Sequence, residues 1–126
     1  MSCLVLHVDD DPSIREVIRM ALESVGGFEI VSVDCGHVAL QQVQERLPDV
    51  VLLDVMMPAM DGPQTLEALR RLPQAESLPV VFLTAKVLKD DLDRLRMLGA
   101  AAILQKPFRI RELVEVLRPF GQAQAV

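Results

Sequence analysis

Apolar residues gather along this chain in five short runs, each followed by a longer stretch in which they recur every three or four positions. The runs are Cys3 to Val8, Phe28 to Val33, Val50 to Leu53, Pro79 to Leu83 and Ala101 to Gln105. The first is short, β-prone and apolar on both parities, the pattern of a central parallel strand covered on both faces. The stretches between read as amphipathic helices. In Ser13 to Val25, the residues Ile14, Val17, Ile18, Ala21, Leu22 and Val25 fall at i, i+3, i+4, i+7, i+8 and i+11. Asp11 and Pro12 supply a cap and a first-position proline, and Gly26-Gly27 ends the helix.

Gly36 to Leu47 follows, with Ala39, Leu40, Val43 and Leu47 inward, closed by Pro48. Pro63 to Leu72 carries Leu66, Leu69 and Leu72; Pro73 ends it and Gln74 to Ser77 is a polar connection. Lys86 to Leu98 is highly charged, with Leu88, Leu92 and Leu95 inside and Gly99 as its stop. The last helix, Arg109 to Leu117, turns Ile110, Leu113, Val114 and Leu117 inward, is stopped by Pro119, and leaves Gly121 to Val126 frayed. Val116 and Phe120 fall off its stripe, as a partner-facing patch or as the isolated surface apolar residues common on any protein. Alternation with connections of this length predicts right-handed crossovers and a three-layer α/β sandwich in one domain, residues 1–126.

The polar residues that end these runs carry the chemistry. The first run ends in Asp9-Asp10-Asp11, the third in Asp54, the fourth in Thr84, and the fifth in Lys106-Pro107. A lone aspartate after a strand is usually a turn former or a helix cap. In an open parallel sheet, however, the functional crevice lies outside the carboxyl ends of the strands, so these groups share one edge. Crowded carboxylates repel by roughly 4 kcal/mol per pair at 4 Å and an effective dielectric near 20, which calls for a compensating cation. Mg²⁺, which takes one or two carboxylates plus phosphate oxygens, suits such an open acid cluster, and Lys106 adds a second positive charge. An aspartate nucleophile, a metal pair, a hydroxyl and an amine are what transfer of a phosphoryl group onto a carboxylate requires. His7, between Leu6 and Val8, reads as a packed, hydrogen-bonded core histidine.

Composition narrows the functional classes. A chain of 126 residues with net charge −5 has the wrong sign for binding nucleic acid directly, and its 3% aromatic content, all Phe, offers no base-stacking surface. A hydrophobic fraction of 51% excludes disorder, and no apolar stretch approaches the ~20 residues of a membrane span. With no signal-peptide pattern before the acid triplet, a cytoplasmic location is expected, and Cys3 and Cys35 are expected as free thiols.

At the stretches LHVDDDP, LLDVMMPAMDG around Asp54, VVFLTA ending at Thr84-Ala85, and KPF at Lys106 to Phe108, the chain resembles the receiver domain of two-component response regulators. The resemblance implies a flavodoxin-like, doubly wound sheet of order 2-1-3-4-5 with five helices. It further implies Asp54 as phosphoacceptor, Asp10, Asp54 and the Met56 main-chain carbonyl as Mg²⁺ ligands, and Asp9 assisting through water. Thr84 is then the switch hydroxyl and Lys106 the amine, before a proline commonly cis in the family. The implied donor is a sensor histidine kinase or histidine phosphotransfer protein docking on the first helix. The output surface is that around the fourth helix, fifth strand and fifth helix, and no separate substrate is turned over. One departure is Ile103, where many receivers place a switch aromatic. A receiver cut from a hybrid kinase or transcription regulator fits equally. Asp9-Asp10-Asp11 also contains the D-x-D of haloacid-dehalogenase-type phosphatases, which leaves Asp54-x-x-x-Pro58 unexplained.

Overall fold

A computed structural model describes residues 2–85 and 88–124, with side chains to residue 121. Strands β1 (Cys3–Val8), β2 (Phe28–Val33), β3 (Val50–Asp54), β4 (Val80–Thr84) and β5 (Ala102–Gln105) alternate with helices α1 (Pro12–Val25), α2 (Gly36–Glu45), α3 (Gly62–Arg70), α4 (Lys89–Met97) and α5 (Ile110–Gln124). The strands form one parallel sheet in the order β2-β1-β3-β4-β5, the doubly wound order expected. Because the order reverses beside β1, the C-terminal ends of β1 and β3 flank the crevice where the chain switches direction.

Both faces of the sheet are covered, so the side-chain alternation of each strand feeds two cores. Leu6, Val8, Val51, Leu53, Val80 and Phe82 meet Ala39 and Val43 of α2, Leu66 and Leu69 of α3, and Leu95 of α4. On the other face Val5, Val50, Leu52, Val81, Leu83 and Leu104 meet Ile18 and Leu22 of α1 and Leu113 and Leu117 of α5. β1, β3 and β4 are buried along their whole length, which explains their apolar runs on both parities.

Several boundaries differ from the sequence expectation for physical reasons. Helix α2 stops at Glu45, two residues before the expected end, and Leu47 is exposed. Pro48 disfavours helical backbone just before it, and Arg46 turns extended, where its guanidinium forms two bonds to Glu29. Helix α3 ends at Arg70, and the expected polar connection contains a 3-10 turn, Pro73–Ala75, held by Arg70 Nη1 donating to the carbonyls of Ala75 and Leu78. Lys86 and Val87, expected to open the fourth helix, lie outside the described residues. Leu88, expected inside, is the exposed residue preceding α4, and Asp90 and Asp91 occupy the first turn, where the helix dipole favours acids.

Pro119 does not stop the last helix. It removes one backbone donor, but half-buried Phe120 and Val116 pack onto the second core, and Gly121 lies so close to Cys3 that an added Cβ would sit 2.6 Å from the Cys3 Cβ. With that packing α5 runs on to Gln124, and Val116 and Phe120, expected off the inner stripe, lie half-buried against the second core. The end of the expected frayed tail, residues 125–126, lies outside the described residues. Val17, Val25 and Ile110, assigned to inner stripes, are exposed: each stripe is wider than the strip of sheet it covers.

Both cysteines are free thiols; burial, then the charge of Asp49, pushes the Cys3 thiol up to about 11, against a weaker pull from the Gly121 backbone. Among the described residues no helix is long and apolar enough to cross a membrane.

Candidate functional site

Each expected group is delivered to one sheet edge by its own strand. Asp9 and Asp10 follow β1, Asp54 ends β3, Thr84 ends β4 beside Gln105 of β5, and Lys106 follows β5. One carboxylate oxygen from each of Asp9, Asp10 and Asp54 lies within 4.8 Å of the others, close enough for all three to face one cation. Asp10 is exposed, whereas Asp9 and Asp54 are 1% and 6% exposed, so the cluster has one open side. Lys106 reaches in from β5 and donates from Nζ to Asp54 Oδ1 at 3.2 Å. Its main-chain N–H is fixed on the Thr84 carbonyl at 2.8 Å, and the Lys106-Pro107 peptide is cis.

The backbone leading into the cluster is tightly tied. Asp11 Oδ1 accepts from the Ser13 N–H at 2.9 Å, capping α1 as expected, while the Asp11 N–H donates to Asp9 Oδ1 at 3.0 Å. Beyond β3 the chain passes through Ala59 at φ 65 into a capping box: Asp61 Oδ1 accepts from the Gln64 N–H, and Gln64 Oε1 accepts from the Asp61 N–H. An alanine held left-handed is strained by roughly 1 kcal/mol. Ala59→Gly is therefore expected to be neutral or stabilising by up to about 1 kcal/mol, whereas Ala59→Val should destabilise by more than that, as urea midpoints will show.

Electrostatics separates the two buried acids. Burial, and then the charge of Asp9, raises the Asp54 carboxyl above its ordinary value; Lys106 and the Met56 N–H counter this without cancelling it. Burial also pushes Asp9 upward, but His7, the Asp11 N–H and Lys106 together hold it below the usual range. Of the two buried acids, Asp54 is thus the one whose negative charge is less compensated, in a place where a cation would relieve it.

Met56 stands just beyond Asp54 with an exposed side chain, its N–H turned to the Asp54 carboxylate. Thr84 is buried at the end of β4. Ile103 packs, half-buried, against the first core and lies in register with the fully buried ring of Phe82. His7 is fully buried as expected, yet neither ring nitrogen has a hydrogen-bond partner among the described residues, which corrects half of the reading made from sequence. Arg15 was not singled out from sequence. Its Nη1 donates to the Asp9 main-chain carbonyl at 2.7 Å, bracing the strand end from α1. The available signal was a cation one helical turn into a helix opened by three acids.

The sequence model of the family described as response regulator receiver domain matches residues 5–118. Response regulator Rre1 of Synechocystis is 40% identical over 114 residues, which cover 90% of this chain and 49% of that protein, so this chain spans about half of its length. Among solved structures, the chemotaxis protein CheY4 of Vibrio cholerae superposes with a TM-score of 0.88 at 31% identity, covering 95% of this chain and 99% of that one. The receiver domain of the sensor histidine kinase PA1611 of Pseudomonas aeruginosa, described with a magnesium ion coordinated in its active-site cleft, gives 0.86 at 27% identity, covering 97% and 99%.

Proposed function

We propose, from the premise that this chain belongs to the response regulator receiver domain family, that it is a signalling switch thrown by phosphorylation of Asp54. The observation that supports this most directly is the convergence of Lys106 Nζ, 3.2 Å from Asp54 Oδ1, with three carboxylates grouped within 4.8 Å. An Asp54 carboxylate oxygen attacks the phosphorus of a phosphohistidine on a sensor kinase or phosphotransfer protein. The new O–P bond forms as the P–N bond breaks, and the imidazole leaves. Lys106 stabilises charge on the transferring oxygens, and the buried Thr84 hydroxyl bonds one of them once it is on Asp54.

The donor set fits Mg²⁺: hard oxygens, one open side and an under-compensated carboxylate. Asp10 and Asp54 would hold it directly with the Met56 carbonyl, and Asp9 through water. Bound there, it supplies neutralisation of the phosphoryl charge. A cytoplasmic location and an output surface around α4, β5 and α5 complete the reading. The domain works without turning over a separate substrate. Its likeness to the chemotaxis protein CheY4, 99% of which it covers, and to a sensor kinase receiver supports two settings, free-standing or within a larger protein. The family match leaves the phosphatase alternative without a basis.

Intact-mass measurement after treatment with a small acyl phosphate and Mg²⁺ tests the proposal. Wild type should gain one acid-labile phosphoryl group and Asp54→Asn none; equal labelling of both would sink the assignment. Ile103→Ala should lose about 1 to 2 kcal/mol of stability, since the side chain is only half-buried. It should label normally and keep the NMR shifts that a phosphoryl mimic induces at Lys86 to Lys89, because a β-branched side chain cannot swing into space vacated by Thr84 as an aromatic ring does. Loss of those shifts with normal mimic binding would make Ile103 a coupling residue. Lys86 and Val87, within that segment, lie outside the described residues.

A further inference from the structure

Four buried polar atoms, on three residues, lie unpaired beneath the acid cluster. His7 is 0% exposed, and both of its ring nitrogens lack a hydrogen-bond partner among the described residues. Asp9 Oδ2 and Ser32 Oγ are in the same condition. Native structures hold few such groups, and each one in a folded chain calls for a reason. These are not scattered. His7 and Asp9 are two apart on the chain leaving β1, and Ser32 is the residue of β2 in register with His7. His7 Nε2 lies 3.7 Å from Asp9 Oδ2. A hydrogen bond between nitrogen and a carboxylate spans about 2.7 to 3.2 Å, so this gap is roughly half an ångström too wide.

A hydrophobic residue would fill this place at lower cost. His7 lies in register with Leu52 of β3, beneath α1 and α5, where its neighbours along the strand face, Cys3 and Val5, are apolar. An imidazole with no partner there is a liability to the metal-free fold. A small movement of Asp9 toward Nε2 would close the 3.7 Å gap to hydrogen-bond length.

We propose that His7 is a positioning residue for Asp9: carrying its ring hydrogen on Nε2, it donates to Asp9 Oδ2 when a divalent cation occupies the acid cluster, and so fixes the carboxylate from behind. This rests on the receiver reading of the cluster. Asp9 Oδ1 is already held by the Asp11 N–H and the Asp9 carbonyl by Arg15, which leaves Oδ2 as the unrestrained atom of the residue. Each carboxylate oxygen has two acceptor positions, so Oδ2 can meet His7 and face the cluster at once. Ser32, in register with His7, is the group placed to donate its hydroxyl hydrogen to Nδ1 and thereby select the Nε2–H form.

The test measures Mg²⁺ binding and ring state separately. Long-range ¹⁵N–¹H spectra of wild type should show His7 with hydrogen on Nε2, and its Nε2–H signal should move downfield on saturation with Mg²⁺. His7→Leu should weaken Mg²⁺ binding about 10-fold or more, while melting no lower than wild type without metal; His7→Gln, with an amide N–H at a similar reach, should recover part of the affinity. An Nδ1–H ring in wild type overturns the proposal, as does a His7→Leu affinity within twofold of wild type. If wild type itself ignores Mg²⁺ yet still labels at Asp54, the metal assignment fails and the role of His7 with it. If wild type binds Mg²⁺ normally but acquires no phosphoryl group, the switch reading fails while the His7–Asp9 contact stands or falls on the spectra alone.

Discussion

Gly62→Ala should destabilise the protein by about 2 kcal/mol, even though replacing a helical glycine by alanine ordinarily stabilises by up to about 1 kcal/mol. The reversal comes from what surrounds the first residue of α3. A Cβ there would lie 2.7 Å from the Asp54 carbonyl oxygen and 2.8 Å from the Val55 Cα, both backbone, and 3.1 Å from Cε1 of the buried Phe82 ring. None of these yields easily. The Val55 N–H is bonded to the Leu83 carbonyl at 3.0 Å, the Gly62 N–H to the Val55 carbonyl at 3.0 Å, and Phe82 is enclosed by the first core. Relief must come from moving α3 outward or Asp54 inward. Either displaces the candidate phosphoacceptor, and a shift approaching 1 Å costs a positioned reaction about 100-fold. Urea unfolding at constant slope and acyl-phosphate labelling rates should therefore fall together. Gly26→Ala provides the control: its Cβ meets nothing within 4 Å, but φ +85 with ψ 155 is a backbone region nearly confined to glycine, so about 1 to 3 kcal/mol of backbone strain should appear with labelling unchanged. A Gly62→Ala protein as stable as wild type would mean that the start of α3 is free to swing away.

What the sequence made legible follows from what is local. Apolar runs reveal strands because burial on both faces disfavours polar interruptions, and the polar residues that end the runs mark the edge to which Asp9, Asp10, Asp54, Thr84 and Lys106 are delivered. The cap at Asp11 is legible too, since it bonds within two residues of itself, whereas the Asp61 capping box was not read from the sequence. The hidden features are those settled between segments distant along the chain. Arg15 reads as one more charge on a helix until the Asp9 carbonyl is seen within its reach. Gly62 reads as a turn glycine, although its need is proximity to β3 and not an unusual φ. Pro119 reads as a stop because the rule concerns backbone bonds, whereas the packing of Phe120 and Gly121 against the second core outweighs the loss of one of them. Even His7 was only half legible: burial follows from its neighbours in the run, but the absence of a partner depends on where Asp9 and Ser32 come to rest.

Without metal, Asp54→Asn should melt higher than wild type at neutral pH, and with Mg²⁺ the order should narrow or reverse. The Asp54 carboxyl is raised by burial and by Asp9, so in the range between the unfolded carboxyl value and the raised folded one the native state holds more protons than the unfolded chain. Stability therefore falls as pH rises through that window, and at its upper end the ionised Asp54 is a net cost to the fold. Asp9 acts in the opposite sense. Its folded value is lowered, so it contributes stability that is present above the ordinary carboxylate range and lost as pH falls through the lowered value. Asparagine keeps the shape of Asp54 and removes only the costly charge. Lys106, released from its 3.2 Å pair, retains enough exposure to hydrate its ammonium, so little of the gain is lost there. The advantage of Asp54→Asn should shrink as pH is lowered through the raised carboxyl value, where the wild-type carboxyl takes up its proton. Mg²⁺ at ten times its Kd stabilises a protein that binds it only when folded by about 1.4 kcal/mol, roughly 5 °C for a domain of this size. The variant, short of one carboxylate of the set, should gain less. Melting curves of both proteins at pH 7 and pH 4, with and without Mg²⁺, give the answer; a variant that melts lower than wild type in the metal-free state at pH 7 would show that Lys106 compensates Asp54 fully and that the cluster carries no unrelieved charge for a cation to neutralise.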